Sequence, residues 1–242
     1  MSAAGETGKR GDRRFFAAAA IFLAFLVFAG FSRTFYLHTF FRMPAPSAFL
    51  EFHGAVMSGW ILLLVVQAIL ISMRRVIWHK RIGLVGVLYA ALMIPIGAMA
   101  TLGAAQREVR AHSAYTPSQL NVLGLELTQL LLFAGFVAAA VWLRNRTDFH
   151  KRLMVVATLC ILPNAIVRLS LLTNIDFLAT NFGILGLWTL FVLSVVAIDT
   201  WRNRRLHPAF GTGATIAIAA LYVAWLGSRT ADWDQYWVRI LS

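Results

Sequence analysis

Residues 54–83 read GAVMSGWILLLVVQAILISM-RRVIWHKRIG, twenty residues without a charged side chain followed by a turn with four Lys or Arg. An uncharged apolar run of about 20 residues is what a helix needs to cross a bilayer. The basic turn that ends it is the usual mark of a cytoplasmic loop. Outward from this stretch the same pattern recurs. Apolar runs cover 15–32, 82–105, 120–143, 152–173, 177–199 and 211–228, with short loops between them. The sequence therefore predicts an all-α polytopic membrane protein with seven transmembrane helices in one bundle domain spanning 1–242. The composition agrees: 60% of residues are hydrophobic and only 13% charged. A soluble domain of this length carries far more charge.

The net charge of +12 raises the question of nucleic acid, and its distribution answers it. Lys9, Arg10, Arg13, Arg14, Arg74, Arg75, Lys80, Arg81, Arg144, Arg146, Lys151, Arg152, Arg202, Arg204 and Arg205 fall in alternate loops. The intervening loops and tail hold only Arg33, Arg42, Arg107, Arg110, Arg229 and Arg239, fifteen against six. Such an alternation sets membrane orientation, with the richer side in the cytoplasm. The expected topology is N-terminus in and C-terminus out, in a bacterial inner membrane, with lipids as partners and no nucleic acid. The run from Phe15 to Phe31 is long for a signal-peptide core, and Ala29-Gly30-Phe31 is a poor cleavage site, so helix 1 is read as retained. Cys160 is the one cysteine, which excludes disulfides within the chain and Cys-based metal clusters.

The cytoplasmic turns resemble one another. Residues 74–83 read RRVIWHKRIG, 144–154 RNRTDFHKRLM and 201–211 WRNRRLHPAFG. Each has a basic cluster and then a histidine that opens the next helix: His79, His150, His207. Trp60 and Trp188 each lie nineteen residues before the histidine of their turn. Three parallel helical hairpins after helix 1 would follow from this repetition. The segments 31–48 and 232–242, rich in aromatics, are expected at the outer interface.

Polar residues inside apolar spans are costly, so each needs a reason. Glu126 on helix 4 and Arg168 on helix 5 fall at a similar depth, roughly 8–9 Å from the outer end at 1.5 Å per residue. They would form a neutral pair, with Gln129 about one turn from Glu126 and Asn164 one turn from Arg168. Gln67 on helix 2 and Asn181 on helix 6 extend this layer. It reads either as a structural lock with bridging amides or as a ligand or proton pocket. His53, His79, His150 and His207 are candidate cofactor ligands, since a b-type haem needs imidazoles at equal depth. The same histidines could instead cap turns or meet lipid phosphate. His38, His53 and His112 are a weaker set for copper, lacking any tight metal-binding spacing. There is no glycine-rich phosphate loop and no lysine in helix 7, which argues against a nucleotide-driven pump and a rhodopsin.

His53 at a helix start, the His-Lys-Arg-Ile-Gly turn His79–Gly83, Asp-x-His-Lys-Arg-Leu-Met at Asp148–Met154 and Arg168-Leu169 together resemble a group of bacterial multi-pass membrane proteins known as a domain of unknown function. The resemblance covers roughly 53–170 and implies fold and location, with no activity attached. It would make His53, His79, His150 and Arg168 the characteristic residues. The His-Lys-Arg-Leu-Met element is also similar to small membrane proteins that assist maturation of haem–copper oxidases, though those carry more helical histidines. Three functions follow as expectations: a redox or assembly protein with haem, quinone or copper; a transporter of a small solute or protons; and a non-catalytic accessory subunit of a larger membrane complex or homo-oligomer.

Overall fold

Why the fifth apolar run does not form one straight helix is the first thing the computed structural model explains. The structure describes residues 3–111, 118–170 and 180–242. Its helices in chain order are α1 (Ala3–Phe31), α2 (Ala48–Ser72), α3 (Val76–Arg110), α4 (Ser118–Trp142), α5 (Thr147–Cys160), α6 (Pro163–Ser170), α7 (Asn181–Asn203), α8 (Pro208–Gly227) and α9 (Ala231–Leu241). No strand occurs among the described residues. Among the described residues six helices are long and apolar enough to cross a membrane, or seven if the bent pair α5–α6 is counted as one span. This architecture is compatible with a polytopic membrane protein.

The expected span 152–173 is corrected to that bent pair. Helices Thr147–Cys160 and Pro163–Leu169 meet at 45°. Proline has no N–H to donate, and its ring crowds the carbonyl four residues earlier, here Leu159. That carbonyl accepts instead from Leu162 N at 3.2 Å and from the Trp188 indole Nε1 of α7 at 2.7 Å. Trp188 is fully buried, so the bond is made without competing water. Pro95 lies inside α3 without ending it.

The chain forms two units, Met1–Met93 and Ile94–Ser242. In the first, α1 packs on α2, burying Ala20, Leu23, Val56, Trp60 and Ile61. A π-helical turn, Ser32–Tyr36, prolongs α1, and the Tyr36 hydroxyl meets Ser58 Oγ at 2.6 Å. Tyr89 on α3 donates its hydroxyl proton to the Val56 carbonyl at 2.7 Å. In the second unit α4 packs on α5, α8 and α9, while α8 also contacts α5 and α7. Small residues make the close approaches, as expected where helices pack without a hydrophobic drive. Ala209, Gly213, Ala217 and Leu221 recur at every fourth position of α8 and are all buried. A Cβ at Gly213 would stand 3.3 Å from Val156 of α5, so the glycine sets that spacing.

Large apolar side chains face outward along the spans, among them Phe25, Leu62, Leu88, Leu131, Leu190 and Val223. In water such a surface is a liability; against lipid chains it costs nothing.

Candidate functional site

The most fully built polar cluster among the described residues lies within the second unit, beside its basic turns 144–154 and 201–211. Asp199 ends the apolar stretch of α7 with no exposure at all, and Arg152 of α5 is 2% exposed. Arg152 Nε donates to Asp199 Oδ2 and Nη2 to Oδ1, each at 2.9 Å. Asn203, one turn beyond Asp199, donates to Oδ1 at 3.1 Å and to the Asp199 carbonyl at 2.7 Å. The remaining Arg152 nitrogen, Nη1, donates to the Asp148 carbonyl at 3.0 Å. The Phe210 ring lies 5.8 Å from the guanidinium. Two parallel charge-assisted bonds fix both position and orientation, so α5 and α7 are locked in register here. The sequence reading counted Arg152 as a topological charge and passed over Asp199. The signal was an acid ending an otherwise apolar span beside a run of cations.

The three turn histidines have different tasks. His150 Nδ1 lies 2.9 Å from the Ala140 carbonyl near the end of α4, so Nδ1 carries the proton and donates. His207 does the reverse: its Nδ1 accepts from Ala209 N at 3.2 Å and N-caps α8. Its ring stands edge-on to Phe149 with centroids 4.8 Å apart. Burial, with the Arg152 charge nearby, holds the His207 imidazole below its usual range. In the first unit Gln67, its amide set to satisfy both ends, donates to His79 Nδ1 and accepts from Gly83 N at 3.0 Å. Neutral His79 and His207 thus carry their proton on Nε2, whereas the His150 bond requires one on Nδ1. A metal or haem iron needs an unprotonated ring nitrogen. In all three histidines Nδ1 is engaged: with the Ala140 carbonyl in His150, with Gln67 in His79 and with Ala209 N in His207.

His38 and His53 lie in the first unit. His38 Nδ1 is 2.9 Å from the Phe35 carbonyl and Nε2 3.3 Å from Thr39 Oγ1. His53 is half-buried in the second turn of α2. His112 lies outside the described residues. Among the described residues no three His, Cys, Asp or Glu side chains gather as a metal site.

Of the expected polar layer, Glu126, Gln129, Asn164 and Arg168 lie in the second unit. Glu126 of α4 is hydrogen-bonded to Thr101 of α3 and feels the charge of Arg168 of α6. Thr101 is a partner that the sequence reading did not find, because a threonine in an apolar helix carries no distinctive pattern. Gln129, one turn from Glu126, is 4% exposed, and its Oε1 accepts no hydrogen bond. A buried amide oxygen without a donor is costly and marks a place for water or a ligand group. Asn164 follows Pro163 directly after the helix break, half-buried. Gln67 belongs to the first unit with His79, and Asn181 begins α7 beside a separate cavity.

No family model, curated protein or solved structure matches the chain. The resemblance drawn from the His-Lys-Arg turns therefore stands on those residues alone.

Proposed function

We propose that this chain is a multi-pass protein of a bacterial inner membrane that moves protons or a small polar solute past Glu126. The supporting observation is a titratable carboxyl and a donor-less buried amide oxygen, Glu126 and Gln129, on one face of α4. Interrupted helices beside buried polar groups are how membrane transporters build their sites, and the α5–α6 break carries Asn164 and Arg168 in its second limb. The excess of cations in alternate loops supports the N-in, C-out orientation. The recurrent basic turns support a three-hairpin origin for the spans after α1.

The test is flux. Purified protein in liposomes with an imposed pH gradient dissipates it faster than empty vesicles. Glu126→Gln keeps the size and hydrogen-bonding capacity of the side chain but not its proton, and abolishes that flux. Equal flux in the two proteins removes Glu126 from the function.

A redox or assembly role with haem, quinone or copper is supported by the recurrence of a histidine in each basic turn, His79, His150 and His207. A visible spectrum of the purified protein checks it; the absence of a Soret band together with no metal by elemental analysis would discard the haem and copper versions.

A further inference from the structure

At the end of the second unit opposite the basic turns, a cavity of about 410 Å³ opens between the starts of α4, α7 and α9 and the end of α8. Its lining includes Asn121, Asn181, Phe182, Trp225, Arg229 and Asp234. Trp225 and Phe182 hold their ring centroids 5.9 Å apart at 45°. The Arg229 guanidinium stands 5.2 Å from the Trp225 ring. Asp234 is half-buried, and its Oδ1 is shielded from solvent and accepts no hydrogen bond. Arg229 and Asp234 line the same cavity without pairing.

An uncompensated carboxylate oxygen out of water is unfavourable, and burial pushes the Asp234 carboxyl up. It is relieved by a donor, best a charged one. A lone carboxylate in a cavity of this size suits an ammonium group, which bonds the oxygen and neutralises it. It does not suit Ca²⁺ or Mg²⁺, which collect six or more oxygens. The same lining holds a guanidinium and two amides, groups that receive an anion. The volume lies within the range of small-ligand sites, roughly 300–1,000 Å³.

We propose that this cavity binds a zwitterion with a primary ammonium and an anionic group. The ammonium sits on Asp234 and the anion on Arg229, with Asn121 and Asn181 donating beside it. Two sources share this chemistry: a lipid headgroup of the phosphoethanolamine kind, and a free amino acid. The site stands apart from Glu126, and its test reads binding, not flux.

Full-length protein in mild detergent is examined by native mass spectrometry with equimolar phosphatidylethanolamine and phosphatidylglycerol. Calorimetry with glycine and with O-phosphoethanolamine follows. Preferential retention of phosphatidylethanolamine identifies the lipid source, and binding of glycine without lipid preference identifies the free solute. In either case Asp234→Asn and Arg229→Gln each weaken binding about tenfold, the loss of one charge-assisted bond. Circular dichroism checks that the variants keep their helix content, and if Asp234→Asn does not, Arg229→Gln decides. The proposal is overturned if no ammonium-bearing probe binds better than phosphatidylglycerol, or if the folded variants bind as wild type does.

Discussion

Alanine at Asp199 would remove one half of a buried, bidentate ion pair, and the structure sets the size of the effect. Arg152 would lose both 2.9 Å bonds and keep one, from Nη1 to the Asp148 carbonyl. The Asp148 carboxylate, 3.8 Å from Nη1 and 67% exposed, cannot replace Asp199, because solvent screens it. Leaving a charge buried without its partner costs about 3–5 kcal/mol. With one bond retained and Asp148 close by, we expect the lower end, about 3 kcal/mol. The assay is unfolding of the detergent-solubilised protein by SDS titration, followed by circular dichroism. Arg152→Met is expected to cost a similar amount, since it strands the carboxylate with Asn203 as its one remaining side-chain donor. The double variant Arg152→Met/Asp199→Leu buries no charge and is expected to lie within about 1 kcal/mol of wild type. A coupling energy of at least about 2 kcal/mol would then separate the pair from two independent losses. Single variants that each cost under about 1 kcal/mol, or a double variant equal to their sum, would refute the account of this pair as a lock.

Acidification should weaken the start of α8. Neutral His207 caps it through Nδ1, and burial depresses the folded-state pKa, so its contribution is full above the unfolded value near 6.5 and lost as pH falls through the folded one. His207→Asn keeps a cap of about 1 kcal/mol and should flatten the stability slope between pH 7 and 5; an unchanged slope assigns the dependence elsewhere. Trp188→Phe keeps the core filled but withdraws the indole proton from the Leu159 carbonyl, costing about 1 kcal/mol and raising amide exchange around the helix break, measurable by deuterium uptake in 159–163. Gly59→Ala places a methyl against the Tyr89 hydroxyl and displaces its bond to Val56, a loss of about 1–3 kcal/mol that Tyr89→Phe in the same chain should partly restore. Thermal melts of the three proteins decide it, additive losses counting against the contact.

How far the sequence carried follows from the kind of signal each feature leaves. The spans were legible because twenty apolar residues in a row are an averaged property, insensitive to any one side chain. Their count depended on one residue: Pro163 bends the fifth run, and hydropathy does not register a missing N–H. Glu126 and Arg168 could be read as an interacting pair because both are expensive in hydrocarbon and fall at equal depth. Thr101 could not, since a threonine hydroxyl costs little in a helix and stands in many spans. Arg152 was hidden by its neighbours. Among Arg144, Arg146 and Lys151 it looks like one more interfacial cation, and only its position one turn inside α5 turns it toward α7. Asp199 was the available clue, an acid at the cation-rich end of an apolar helix where it would be drawn to whichever arginine the packing offered. The histidines show the opposite failure. Their matching positions in three turns imply a shared role, yet His150 donates from Nδ1 while His79 and His207 accept there. Sequence spacing fixes where an imidazole begins a helix; which nitrogen holds the proton depends on the group that the fold brings opposite it, and that choice decides whether the ring can ligate anything.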